Sequence, residues 1–272
     1  MTELRPAAQA FDAIAPSFDA RFNEWLSVAA QRRAVRRALM KVLPRGGHVL
    51  ELGGGTGTDA LWLAEHGFTL LLTDASPTMV DLARAKLEPL GSCAEVAPAE
   101  EFDEFAVRHC RGGGKLFDGA FSNFAPLNCV EDLAPVARGL ARLIKPGGSA
   151  LLVIFGIVSP GDVLVEMLRG HPGQMFRRFR RGAIQAQLDG RRFPVTYHRA
   201  RALGRAMRPW FRPVKKAGIG IFVPPSAAEP WISRHQRLLA VLEVLDRIAE
   251  RPLAVLGDHI LYHFERTTAA MP

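Results

Sequence analysis

Cysteine is scarce in this 272-residue chain. Cys93, Cys110 and Cys129 stand far apart and form no C-x-x-C pair, which argues against a disulfide framework or a zinc centre and suits a reducing compartment. No metal site is expected. No uncharged apolar run reaches the length of about 18 residues that a membrane span needs. The first residues, MTELRPAAQAFDAI, lack the charged and apolar regions of a signal peptide, so a cytoplasmic location is expected. There are no repeats and no low-complexity tail. Lysine is missing from residues 157–212, although the chain as a whole carries a net charge of +8. That segment holds twelve arginines against Asp162, Glu166 and Asp189, a local charge of +9 that leaves −1 for the rest. The basic character therefore belongs to one stretch.

What is present is a hydrophobic content of 48%, enough for a full core, and one dominant motif, HVLELGGGTGTDALWLAEHG at 48–67. Val49, Leu50 and Leu52 read as a buried strand. Gly53, Gly54, Gly55 and Gly57 follow within five positions, and Ala60–Ala64 opens a helix that Gly67 closes. Glycines here allow positive φ and leave backbone N–H groups open to a ligand. Two nucleotide readings compete. Gly55-x-Gly57-x-x-Ala60 fits the dinucleotide fingerprint. Glu51-x-Gly53-x-Gly55-x-Gly57 instead places an acid at the strand end, suited to a ligand with a cationic amino group.

The second reading resembles the first motif of class I S-adenosylmethionine (SAM) methyltransferases. A second apolar run, TLLLTD, ends in Asp74, 17 positions after Gly57, where a carboxylate meets ribose hydroxyls. Ser76 and Pro77 start the next helix as N-cap and first residue. In the family, the residue after the acid and a nearby apolar side chain flank adenine, which points to Ala75 and Met79. An acid near the next turn often meets the adenine amino group. Pro98 takes its place here, leaving Ala99 backbone or Glu100. The opening AFDAIAPSFDARF is similar to that of methyltransferases acting on small metabolites, with Phe18-Asp19 in place of the usual Tyr-Asp. Arg32 or Arg33 is a candidate partner for the SAM carboxylate. Strand 116–123 leads into Phe124-Ala125-Pro126-Leu127-Asn128, beside the transferred methyl. It lacks the N-P-P-Y or D-P-P-Y of enzymes that methylate amino groups of DNA bases or glutamine, and Arg111-Gly112-Gly113-Gly114-Lys115 lacks phosphate-loop spacing. An amphipathic helix with Leu133, Val136, Leu140 and Leu143, the turn Lys145-Pro146-Gly147-Gly148 and the strand 150–155 complete the resemblance, which covers residues 11–156.

The resemblance implies a Rossmann-like α/β three-layer sandwich, with a seven-stranded, mostly parallel sheet whose last strand is antiparallel. The expected division is an N-terminal helical cap over 1–45, a core over 46–156 and 213–272, and a substrate lid inserted at 157–212. Two helices are expected in the cap, the first broken at Pro16 and the second over 22–43. In the lid, helices are expected near 162–168 and 199–207, with a polar stretch between them. A strand at 214–223, a helix at 228–250 built on Leu238, Val241, Leu242, Leu245 and Ile248, and a strand at 259–265 should close the chain. Glu51, Gly53, Gly54, Gly55, Gly57, Asp74, Ala75, Met79, Ala99, Glu100 and Asn123 are the candidate cofactor-binding residues. Phe18, Phe124, Asn128 and Tyr197 are candidates for the substrate side, and His198, before His235 and His259, for a general base. The expected activity is methyl transfer from SAM, released as S-adenosylhomocysteine, to a small acceptor, acidic if the lid arginines hold it. RNA methylation and SAM binding without catalysis are the alternatives. Nucleic acid is the less favoured partner, and a homodimer is compatible with this reading.

Overall fold

A computed structural model describes residues 4–269. The ends of the expected cap and core, 1–3 and 270–272, lie outside the described residues. Two helices lead, α1 (Pro6–Phe22) and α2 (Leu26–Val42). Strand and helix then alternate through β1 (His48–Leu52), α3 (Thr58–Glu65), β2 (Thr69–Asp74), α4 (Pro77–Leu87), β3 (Cys93–Val96), α5 (Phe102–Arg111), β4 (Phe117–Ser122), α6 (Ala134–Leu143) and β5 (Ile144–Phe155). The alternation pauses at α7 (Pro160–Leu168), β6 (Ala183–Leu188), β7 (Arg191–Thr196) and α8 (Ala200–Met207). It ends with β8 (Phe211–Ile219), α9 (Gln236–Ala249) and β9 (His259–Arg266).

Seven strands form one sheet in the order β3-β2-β1-β4-β5-β9-β8. β1 pairs in parallel with β2 and β4, while β9 runs antiparallel between β5 and β8. The pleat sends alternate residues to opposite faces. Leu50, Leu52, Leu152 and Ile154 meet Phe102, Phe105 and Leu140 of α5 and α6 on one side. Val49, Leu70, Leu72, Leu151 and Val153 meet Leu39, Leu63 and Val80 of α2, α3 and α4 on the other. The result is the three-layer sandwich the sequence predicts. β6 and β7 form a separate two-stranded sheet.

Several local expectations change. Pro16 does not break α1, which runs through it. The lost backbone bond costs about 3 kcal/mol in an isolated helix, but burial of Ile14 and Ala15 holds the segment together. The second helix begins at Leu26 rather than 22. The last helix begins at Gln236 rather than 228, because Glu229 precedes Pro230 and is extended, with ψ at 148°. Its stripe Leu238, Val241, Leu245 and Ile248 is exposed, not core, while Leu239, joined by the partly buried Leu242, packs inward with Ala30, Val223 and Ile232. The eighth strand is Phe211–Ile219, and 221–223 belong to the turn after it. The polar stretch is the β6–β7 hairpin, turned by Asp189 and Gly190, both at positive φ. Finally, α8 buries Leu203 and Met207 in the main core, so the part of 157–212 that stands off the sheet ends before it.

Candidate functional site

The carboxyl ends of β1, β2 and β4 open into a cleft of about 840 Å³, within the range of small-molecule sites. The glycine turn forms its floor. Gly53 (φ 64°) lies so close to Pro126 that a Cβ would stand 2.4 Å from the proline ring. Gly55 (φ 55°) is different, since its missing Cβ points into open space, with Met79 Sδ 3.9 Å away. It leaves backbone accessible from the cleft. The N–H of Gly55 donates to Asp74 Oδ2 at 2.9 Å, and Ser76 N–H donates to Oδ1 at 2.9 Å. Burial raises the Asp74 carboxyl above the usual aspartate value, against the pull of those N–H groups.

Eleven of the expected site residues line this cleft: Gly53, Gly55, Asp74, Ala75, Met79, Ala99, Glu100, Asn123, Phe18, Phe124 and Tyr197. Glu51, Gly54 and Gly57 lie behind the turn instead. A Cβ on Gly54 would strike Leu72, and one on Gly57 would press on Ala83. Glu51 is buried, and its Oε2 has no hydrogen-bond partner within the protein. Burial, reinforced by Asp59, raises its pKa well above the normal range.

Asp59 explains where the α2 arginines go. It accepts from Arg32 Nη1 at 3.0 Å, Arg36 Nε at 2.7 Å and Asn123 Nδ2 at 2.8 Å. Arg32 also stacks 4.9 Å above the Phe124 ring. Arg33 pairs with Glu243 at the surface. Neither arginine expected to meet a cofactor carboxylate reaches the cleft.

Two other expected residues are structural. Asn128 is fully buried, donates to Thr196 O at 2.6 Å and accepts from Phe155 N–H at 3.0 Å. It ties the hairpin to the loop after β4 and does not line the cleft. His198 Nε2 lies 2.8 Å from Val130 O and 3.2 Å from Leu127 O. Contact with two carbonyls makes that nitrogen the protonated donor and a latch, not a base. His235 is exposed and held by Trp231 O, while His259 is buried against Asp258.

The walls hold groups that the sequence reading passed over. Phe11 comes from α1, Phe155 from the end of β5, and Phe193 and Val195 from the hairpin. Glu166, His171, Gln174 and Arg177 come from α7 and the turns after it. Asp12 and Asp19 fasten α1 over the cleft. Asp12 accepts from Ser76 Oγ at 2.7 Å and Thr78 N–H at 2.9 Å, at the positive end of α4. Phe124 and Ala125 both have positive φ, 56° and 60°, without being glycine. Such strain collects at functional sites. Cys129 also lines the cleft, but burial, followed by Glu100 and Asp74, pushes its thiol up to about 12, so it is no nucleophile.

A sequence model described as a methyltransferase domain matches residues 49–148, the segment that carries the glycine turn, Asp74 and the loop after β4. The chain has the class I SAM-dependent methyltransferase fold. SAM is the cofactor of this fold. Among curated proteins, phosphatidylethanolamine N-methyltransferase of Cereibacter sphaeroides is 31% identical over 118 residues, 43% of this chain and 55% of that protein. tRNA 5-carboxymethoxyuridine methyltransferase of Escherichia coli (strain K12) is 27% identical over 135 residues, 50% of this chain and 49% of that protein. The matches thus span about half the length of these relatives. Among solved structures, the DhpI–SAH complex superposes with a TM-score of 0.54 at 16% identity, covering 98% of this chain and 100% of that one.

Proposed function

We propose that the chain transfers the methyl group of SAM to a small-molecule acceptor with a largely apolar body. The observation that carries this reading is one continuous cleft with two chemically distinct parts. At one end are Gly53, Gly55, Asp74, Ala75, Met79 and Glu100. Elsewhere on its wall Phe11, Phe155, Phe193, Val195 and Tyr197 pack in one apolar cluster, with Phe18 beside Phe11, next to the polar Glu166, His171, Gln174 and Arg177. The residues present fit SAM. Gly55 leaves space that any side chain would fill, Asp74 faces the cleft where ribose hydroxyls would lie, and the orphaned Glu51 carboxyl lies beneath the turn, near where a cationic amino group would gain from it.

SAM brings its own leaving group, and transfer is an in-line displacement. The chain's task is alignment and exclusion of water, which together are worth up to about 7–11 kcal/mol of barrier. In this reading α1, the β6–β7 hairpin and α7 supply the walls that do both.

An acidic acceptor gains little support. Of the twelve arginines in 157–212, Arg177 alone lines the cleft, and Asp162 and Glu166 already engage it at 2.7 and 3.2 Å. An RNA acceptor would have to place its base within an aromatic wall closed by α1 and the hairpin. The test is incubation of the protein with isotopically labelled methyl donor and metabolite extract, read by mass spectrometry. A labelled small apolar product is expected. Label found only in RNA, or SAM binding with no product from any extract, would overturn the proposal.

A further inference from the structure

Helix α7 is inside out. Its buried side chains are Asp162 and Glu166, which face the protein. Leu164, Met167 and Leu168 share the opposite face, at i, i+3 and i+4, and are 50%, 54% and 76% exposed. The turn that follows adds Phe176 and Phe179, 63% and 45% exposed, with ring centroids 6.2 Å apart. A water-facing helix normally shows the reverse pattern. Five large apolar side chains within sixteen residues form an exposed concentration that soluble surfaces rarely carry without a partner.

The charges around this surface are of one sign. Between 157 and 182 the acidic residues are Asp162 and Glu166, and both are turned inward and neutralised. Arg177 pairs with both. Arg178 bridges Asp162 to Asp258. That leaves Arg169, Arg180 and Arg181 exposed, with no carboxylate partner among the described residues. Residues 157–182 therefore offer outward apolar side chains flanked by guanidinium groups and no exposed carboxylate. Guanidinium groups pair with phosphate oxygens while neighbouring apolar side chains leave water for acyl chains. No helix among the described residues is long and apolar enough to cross a membrane, so the contact is a surface one.

We propose that the outer face of the lid, Leu164, Met167, Leu168, Phe176 and Phe179 with Arg180 and Arg181, docks on an anionic phospholipid bilayer. This placement does not depend on which acceptor is methylated. RNA would account for the arginines and leave the five apolar side chains in water. A second copy of the chain would bring the same arginines face to face.

The test is co-sedimentation of the full chain with phosphatidylcholine vesicles, with and without phosphatidylglycerol. Binding to the phosphatidylglycerol vesicles is expected, weakened by salt. R180E/R181E should lower partitioning by roughly tenfold or more, the scale of charges near an anionic surface. L168S/F176S/F179S should lower it by roughly tenfold or more through loss of apolar burial. These side chains are exposed, so thermal unfolding should stay as in the parent chain; if one variant misfolds, the other decides. No sedimentation with either vesicle, binding unchanged by both variants, or a dimer in solution that the apolar variant dissociates would overturn the inference.

Discussion

Asp19 Oδ1 accepts a hydrogen bond from Thr56 Oγ1 at 2.6 Å, joining the first helix to the glycine turn across 37 residues. Its other oxygen takes Lys86 Nζ at 2.5 Å. Burial alone would raise the Asp19 pKa, but Lys86 and Thr56 more than reverse it, and the folded value lies below the ordinary 3.8. The stability this group adds is therefore full above 3.8 and lost as pH falls through the lower folded value. Asp12 behaves alike, with Ser76 and Thr78 outweighing burial. Asp19→Asn should cost about 1–2 kcal/mol, after allowing for solvent screening of a partly exposed pair. It should also weaken SAM by several-fold, since Asp19 holds Thr56 of the glycine turn. Chemical denaturation and calorimetry at neutral pH and near pH 3.5 measure both effects, and an unchanged acid midpoint would contradict the assignment.

Gly55→Val puts a branched side chain at φ 55° and into the open space beside Met79. Loss of measurable SAM binding is expected, with a folding cost of roughly 1–2 kcal/mol from the left-handed backbone. A variant that folds and still binds SAM would show that the ligand does not approach this backbone.

Glu51 carries the opposite pH sign from Asp19. Burial, then Asp59, raises its folded pKa well above the ordinary 4.5. Its contribution to stability is full below 4.5 and is lost as pH rises through the raised value. Glu51→Gln removes that loss, so the ligand-free variant should be more stable than the parent at neutral pH, by about 1–3 kcal/mol, the cost of a buried unsatisfied group. SAM affinity should fall by roughly tenfold, the scale of one charged hydrogen bond. Unfolding scans from pH 4 to 8 with and without SAM separate the two effects. Unaltered affinity would reduce Glu51 to a prop beneath the turn.

Arg178 donates to Asp162, to the Asp258 carboxylate and to the carbonyls of Gly156 and Asp258. Burial raises the Asp258 carboxyl, but Arg178 and His259 hold it far below its usual value. Arg178→Ala strips the guanidinium from two buried carboxylates, leaving Asp162 with Arg177 alone and Asp258 with His259 alone, and should cost about 3–5 kcal/mol. Arg180→Ala, two positions on and exposed, should stay within about 0.5 kcal/mol. Equal effects on thermal unfolding would refute this division of the arginines.

The parts legible in the sequence are those where backbone chemistry dictates residue type. Gly53, Gly55 and Asp74 were readable because positive φ and a strand-end acid leave a fixed trace. The seven-stranded, mostly parallel sheet with its antiparallel last strand followed from the resemblance those residues carry; the strand order did not. What stayed hidden depends on long-range packing. Nothing local to Leu238, Val241, Leu245 and Ile248 tells that their apolar stripe faces out. Nothing local to His198 shows that Leu127 and Val130 already hold its Nε2. Arg177 and Arg178 look identical to Arg180 and Arg181 until Asp162 and Asp258 are placed. The hairpin did leave a signal, since Asp189-Gly190 is a strong two-residue turn pair between alternating segments.

The β6–β7 hairpin offers the cleanest separation of cofactor from acceptor. Ala183 pairs with Thr196, so the two ends of the hairpin are neighbours and a short glycine link can replace 184–195 without stretching the chain. The excised residues include Ile184, Phe193 and Val195, which line the apolar part of the cleft, and none of the groups around Gly55 and Asp74. They pack on α1 through Ala10 and Phe11, in a cluster distinct from the two that cover the sheet. α8, with Leu203 and Met207 in the main core, stays in place, which removal of all of 157–212 would not allow. Asn128 loses nothing, because its partner Thr196 O is retained. The shortened protein should keep the sheet's cooperative unfolding and bind SAM within roughly threefold of the parent, less than the loss of one hydrogen bond. Turnover of the acceptor found with labelled methyl donor should fall by roughly 100-fold or more, the scale of lost alignment and water exclusion. If the shortened chain methylates that acceptor at the parental rate, the hairpin is not a wall of the acceptor site. If SAM binding disappears while the fold persists, the two parts of the cleft are not separable.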